Sequence, residues 1–194
     1  MNPHAATLRL AVFPRSSLLT DVLLVLAGTV FVALAAQVKI DLRFTPVPIT
    51  GSTFAVLLVG ASLGALLGLA SLGLYLFVGA LGAPVYAGWD SGWDVITGPT
   101  GGYIVGFVCA AALTGWLAQR HWDRHFNSAV AAMLTGSIVI YMFGLPFLAE
   151  DQNLDFTTTL KEGLAPFVIG DLLKLYLAAM LLPGAWRLVR RLRG

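Results

Sequence analysis

Cysteine, histidine and charge are scarce in this chain, and each scarcity removes a class of function. The single cysteine, Cys109, lies in an apolar run, which leaves no disulfide framework and no cysteine metal cluster. The three histidines, His4, His121 and His125, fall outside the long apolar segments, and none neighbours Cys109 in sequence. An intramembrane hydrolase would need a nucleophile beside its base, or metal ligands, at membrane depth, so neither an enzyme nor a cofactor or metal is expected. No Gly-x-x-x-x-Gly-Lys-Ser/Thr stretch occurs, which excludes ATP hydrolysis through a phosphate loop. Charged residues make up 11% of the 194 positions, where a soluble domain carries about 25%. No Pro/Ser-rich linker, repeat or low-complexity tract divides the chain, and its length suits one compact unit.

What fills the chain is apolar: 58% of it is hydrophobic and the mean hydropathy is +0.83. The formal charge of +2 and pI of about 8.9 would suit a nucleic-acid binder. The basic residues, however, gather at the two ends and in one short loop, as membrane topology requires, so no nucleic-acid partner is expected. About 20 apolar residues cross the roughly 30 Å hydrocarbon core. Residues 18–37 are the first candidate, and residues 44–89 carry no charge at all. That stretch is too long for one span and suits two, 50–67 and 70–84, folded back at Gly68-Leu69-Ala70-Ser71. Residues 102–119, 128–148 and 163–186 complete six. The uncharged turn leaves a five-span reading with a re-entrant segment open. The expected fold class is all-α, an integral membrane bundle of six transmembrane helices in a lipid bilayer, with residues 1–194 as one domain.

Arg9 and Arg15 precede a first segment long enough to span, and no small-residue cleavage site stands out after it. It reads as a retained helix, not a signal peptide. With six spans, one side holds Arg9, Arg15, Arg120, Arg124, Arg187, Arg190, Arg191 and Arg193. The other holds Lys39, Arg43 and Lys161, together with Asp41, Asp90, Asp94, Glu150, Asp151, Asp155 and Glu162. The positive-inside rule places both termini in the cytoplasm and the acidic loops outside.

Asp171 and Lys174 break the last apolar segment, which has no other charge. Three residues apart on a helix, they point the same way. Each costs about 2.5–3.5 kcal/mol at the centre of a span, so such a pair faces a protein interior or a wet cavity and marks a ligand or ion path. If the helix begins near Gly163, the pair lies about 12 and 16 Å along it, in the outer half of the membrane. A structural ion pair is the bland alternative.

The outer loops add hydroxyls and aromatics. Pro46 and Pro48 fix an extended path ahead of Thr50, Ser52 and Thr53. A second loop carries Tyr86, Gly88 and Trp89 and continues through Trp93 to Gly98-Pro99-Thr100-Gly101-Gly102-Tyr103. Glycines permit close backbone approach to a ligand, and the aromatic rings suit stacking on a flat or apolar one. Trp and Tyr at membrane borders are also interfacial anchors, the reading preferred for Trp93. Gly-Pro-Thr-Gly-Gly also reads as the start of a helix, and Asp21 as a helix-start residue or one that reaches water. Gly60, Gly64 and Gly68 form a small-residue stripe for close helix packing. The terminal arginines read as anchors on the anionic leaflet.

Four stretches together resemble the BioY family: residues 45–54 (TPVPITGSTF), 81–88 (LGAPVYAG), 98–103 (GPTGGY) and 166–174 (PFVIGDLLK). These proteins are the substrate-binding S components of biotin transporters of the energy-coupling factor type. The resemblance runs in order over residues 20–186 and implies a six-helix bundle with a vitamin pocket near its outer face, in a bacterial or archaeal cytoplasmic membrane. It implies that Asp171 and Lys174 bind the ureido ring of biotin, the carboxylate accepting N–H groups and the ammonium donating to the carbonyl, as charge-assisted hydrogen bonds. Tyr86 and Trp89 are candidates for the wall against the apolar ring. Hydroxyls or backbone N–H groups around Thr50 and Thr53 are candidates for the valerate, and Thr100 and Tyr103 complete the expected site. The partners implied are a transmembrane coupling protein and a pair of cytoplasmic ATPases.

The chain departs from the family pattern at Ser52, where members often have Gln. It also lacks the Ala-x-x-x-Ala motif of the first helix used for docking, and Thr29 and Ala33 stand at that spacing instead. Another vitamin, thiamin or riboflavin, is the nearest rival ligand. A membrane scaffold would explain the glycine stripe but not the charged pair. An ion conductor would need further ionisable groups in other spans, and only Asp21 is there.

Overall fold

The structure, a computed structural model, describes residues 7–13 and 17–193, apart from the side chain of Arg193. His4 and Arg15 lie outside the described residues. Thr7 caps α1 (Leu8–Val12) and Ser17 caps α2 (Leu18–Ala36), each through a side-chain oxygen that accepts a first-turn N–H. β1 (Lys39–Ile40) and β2 (Ile49–Thr50) then pair antiparallel, Lys39 opposite Thr50 and Ile40 opposite Ile49. There follow α3 (Ser52–Leu63), α4 (Ala65–Ala80), α5 (Trp93–Thr97), α6 (Gly101–Gln119), α7 (Phe126–Gln152), α8 (Phe156–Gly163) and α9 (Val168–Arg193). Among the described residues, α2, α6 and α7 and residues 168–192 of α9 are long and apolar enough to cross a membrane, while α3 and α4 are shorter apolar helices.

The break between the second and third apolar segments falls at Gly64, not at Gly68–Ser71 as expected. Gly64 adopts φ +92° and ψ 173°, a backbone open to glycine and resisted by other residues. Gly68 through Ser71 lie inside α4. Gly60 and Gly68 serve a different purpose. A Cβ on Gly68 would sit 3.0 Å from Gly60 Cα, and one on Gly60 would sit 2.3 Å from Thr114 Oγ1. Their bareness lets α3, α4 and α6 meet backbone to backbone, the packing expected of the stripe.

The bundle is arranged around α6, most of whose residues from Gly101 to Ala118 are buried against α7, α3 and α4. By contrast α2 turns Leu18, Leu19, Leu23, Val30 and Leu34 outward, where hydrocarbon accepts a helix whose backbone is internally bonded. Thr29 does not share that outer face. It is buried, and its hydroxyl donates to Val25 O at 3.0 Å and Ser71 O at 2.8 Å, so Thr29 and Ala33 do not form an external small-residue stripe. Asp21 lies in the first turn of α2, as expected, and forms an ion pair with the buried Arg9 of α1. That short helix escaped the hydropathy reading, and Arg9 is accordingly not a free surface charge.

The last helix also begins later than expected. Asp155 caps α8 by accepting the N–H groups of Thr157 and Thr158, and α8 takes the chain to Gly163. Pro166 has no N–H to donate and disfavours helical backbone at Ala165, so α9 starts at Val168. Asp171 therefore lies only about 4.5 Å, and Lys174 about 9 Å, from the start of the helix. The pair is nearer the start of its helix than the boundary at Gly163 implied.

Candidate ligand-binding site

The chain path brings together the β1–β2 hairpin, the start of α3, the later part of α4, the middle of α7 and the starts of α6 and α9. A cavity of about 450 Å³ lies there, within the roughly 300–1,000 Å³ typical of small-molecule sites. The loop between β1 and β2, with Pro46, Val47 and Pro48, forms one wall; Tyr86, Ala87, Asp90 and Ser91 form another. Phe107 and Ile140 lie on the bundle side and Phe167 just ahead of α9.

At the base of the cavity four side chains interlock across three helices. Lys174 Nζ donates to Asp171 Oδ1 at 3.0 Å and to Thr53 Oγ1 at 3.3 Å. Thr53 Oγ1 donates to Asp171 Oδ1 at 3.2 Å, and the Tyr141 hydroxyl donates to Asp171 Oδ2. Asp171 sits in the first turn of α9, where the positive end of the helix dipole favours a carboxylate. Thr53 reaches it because α3 starts beside it, after Thr50 Oγ1 has accepted the N–H of Ser52 at 3.3 Å and donated to Ser52 Oγ at 3.0 Å. The bonding capacity is not exhausted. An ammonium has three donors and a carboxylate about four acceptor sites; two of the former and three of the latter are engaged here.

The aromatic walls are fixed by their own hydroxyls. Tyr86 donates to Leu76 O at 2.7 Å and meets Tyr75 edge-on with centroids 5.4 Å apart. Burial pushes the Tyr86 phenol up to about 12, so it remains a donor. Tyr103 donates to Gly163 O at 2.9 Å and meets Tyr141 edge-on at 6.1 Å. Glycines seat both rings: a Cβ on Gly79 would lie 2.2 Å from Tyr86 Cζ, and one on Gly144 would lie 2.4 Å from Tyr103 Cδ1.

Seven of the eight residues expected at the site line this cavity: Thr50, Thr53, Tyr86, Thr100, Tyr103, Asp171 and Lys174. Trp89 does not. Its backbone takes a left-handed φ of 62° and its N–H donates to Gln37 Oε1 at 2.9 Å, while the side chain is 61% exposed. Sequence reasoning missed Lys39, Tyr75, Phe107, Tyr141 and Phe167. Tyr141 had a usable signal, since it stands near the middle of an apolar segment and not at its border, where tyrosines gather. Among the described residues, no group of three or more His, Cys, Asp or Glu is placed to hold a metal ion.

The BioY family model matches residues 5–191. A biotin transporter BioY of Rhizobium etli is 35% identical over 167 residues, covering 82% of this chain and 89% of the relative. One of Thermotoga maritima is 34% identical over 158 residues, covering 81% and 92%. The fold is also similar to a crystal structure, at 2.1 Å, of the S-component for biotin from an ECF-type ABC transporter. The TM-score is 0.75 and the identity 26%, over 90% of this chain and 91% of that one.

Proposed function

Because the chain belongs to the BioY family, we propose that it captures biotin in the cavity above Asp171 and Lys174, as the substrate-binding subunit of an uptake system. The observation that carries the chemistry is the unfilled bonding capacity of that pair. Lys174 retains one donor and Asp171 one acceptor site, the latter on Oδ2. A ureido group presents the complement, a carbonyl next to an N–H. Both bonds are charge-assisted and made in a low-dielectric pocket, which strengthens them. Tyr141 acts as a positioning residue, holding Asp171 Oδ2 in place. Tyr75, Tyr86, Phe107 and Phe167 supply the apolar wall for the sulfur-containing ring.

The protein crosses the cytoplasmic membrane six times, with α2, α3, α4, α6, α7 and α9 as the crossings and both termini inside. The arginines of the α6–α7 connection and of the C-terminal turn support this orientation, and so does the grouping of the acidic loops at the cavity end. The site therefore faces outward. With no phosphate loop in the chain, energy comes from partners: a transmembrane coupling protein and cytoplasmic ATPases.

Titration calorimetry and thermal shift on the purified protein test the ligand. Biotin raises the melting temperature and binds stoichiometrically, whereas thiamin and riboflavin do neither; a preference for either of those vitamins would refute the assignment. In a Cys109→Ser background, Asp94→Cys reacts with an impermeant thiol reagent on intact cells. Reaction only after lysis would invert the topology.

A further inference from the structure

Lys39 lines the cavity from the hairpin, outside the hydrogen-bonded cluster on α9, and the ureido chemistry does not use it. The register of β1 and β2 sets it opposite Thr50, and both residues line the cavity. Its ammonium also lies over the loop on the other wall, since a Cβ on Gly88 would come within 3.1 Å of Nζ. It thus stands between the two segments that border the cavity.

The charges around it are uneven. Lys39 and Lys174 are the cations among the described lining residues, and Lys174 is engaged by Asp171 and Thr53. Asp90 and Asp94 line the same cavity and would repel an anion. The partner of Lys39 is Asp41, with Nζ to Oδ1 at 3.0 Å and side chains 30% and 73% exposed. An ion pair so open to water is weak and screened by salt, so a ligand anion held by the cavity walls displaces Asp41 at little cost. Two of the three Lys39 donors are free of that pair.

We infer that Lys39 is the anchor for the ligand carboxylate, gripping the valerate of biotin from the hairpin, and so selecting the free acid over its neutral derivatives. The inference rests on the biotin reading above. It assigns the acid end of the ligand to a cation on the hairpin, in addition to the hydroxyls around Thr50.

The test compares biotin with biotin methyl ester by calorimetry, in wild type and in Lys39→Met and Lys39→Arg variants of the full chain. Wild type prefers the acid by about tenfold or more, as expected for a bond between charged partners. The Lys39→Met variant brings that ratio close to one, and Lys39→Arg retains most of it. Equal binding of acid and ester by wild type would overturn the anchor, as would an undiminished preference in Lys39→Met. If Lys39→Met binds neither compound, Lys39→Arg decides: a retained preference supports the anchor and a lost one overturns it. Failure of wild type to bind either compound would instead overturn the biotin reading, and the anchor with it.

Discussion

Two polar clusters lie near opposite ends of α9, and only one of them lines the cavity. Near the start, Asp171 and Lys174 bond to Thr53 and Tyr141 and keep part of their bonding capacity. Near the other end, Trp186 donates its indole N–H to Asp123, and the Arg124 guanidinium stacks 3.7 Å over the indole ring. Asp123 and Trp186 are both buried, and neither lines the cavity. The second cluster ties the α6–α7 connection to α9 and turns inward on itself. Buried charge alone does not distinguish a site. Asp123 Oδ1 also lacks a hydrogen-bond partner, so the difference is the space beside the first cluster, which a ligand can fill.

The largest effect that would break this contrast is on binding. Asp171→Asn and Lys174→Met each weaken biotin binding by about a hundredfold or more, because each removes a charge-assisted bond and strands the other charge. Both variants still insert and run as a single species in detergent. Normal affinity in both would move the ligand elsewhere. The double variant unfolds no more easily than either single one, since no charge is left unpaired; thermal unfolding of all three checks this.

A sharper version removes one donor from each carboxylate. Tyr141→Phe weakens biotin binding by about tenfold, through the bond lost to Asp171. Trp186→Phe takes the corresponding donor from Asp123, lowers stability by about 1–3 kcal/mol and leaves the biotin affinity unchanged. Calorimetry and unfolding on both variants separate the two, and a binding loss in Trp186→Phe would erase the distinction.

The smallest effect is on pH. Burial pushes the Asp123 carboxyl above its ordinary 3.8, with Trp186 and Arg124 pulling it back down. A raised folded-state value means that its stabilising contribution is complete below 3.8 and is lost as the pH climbs through the raised value. Wild type therefore gains stability relative to Asp123→Asn as the pH falls from 7 towards 4. Melting temperatures at those two pH values measure the gap, and a constant gap would count against the burial argument.

The two clusters were unequally legible in the sequence. Asp171 and Lys174 stood out because they interrupt 24 otherwise uncharged residues, 163–186, and a spacing of three on a helix is a local fact. Asp123 looked like one more charge in a short basic loop, since Trp186 lies 63 positions away. Tyr141 was missed for a related reason: a tyrosine barely disturbs an apolar run, and the carboxylate it serves is 30 residues on. The turn at Gly64 was misplaced because Gly60, Gly64 and Gly68 are equally spaced and chemically identical. Contacts with Thr7, Gln119 and Gly115 distinguish Gly64, and they are tertiary. Trp89 was misassigned because loop composition carries no side-chain direction. The assignment of the family came from four short stretches in order, and those stretches contribute most of the cavity's loops.

The turn at Gly64 has a mechanical consequence for the surrounding lipid. It limits α4 to 16 residues, about 24 Å of helix, against about 28 Å for the 19 residues of α2. Leu66, Leu69 and Phe77 of α4 face outward, so the shorter helix presents an apolar outer face. On the six-crossing reading proposed above, a hydrocarbon core roughly 30 Å thick meets an apolar girdle of uneven height and pinches on the α4 side, or the molecule leans towards it. On that reading the mismatch is smallest where the membrane is thin.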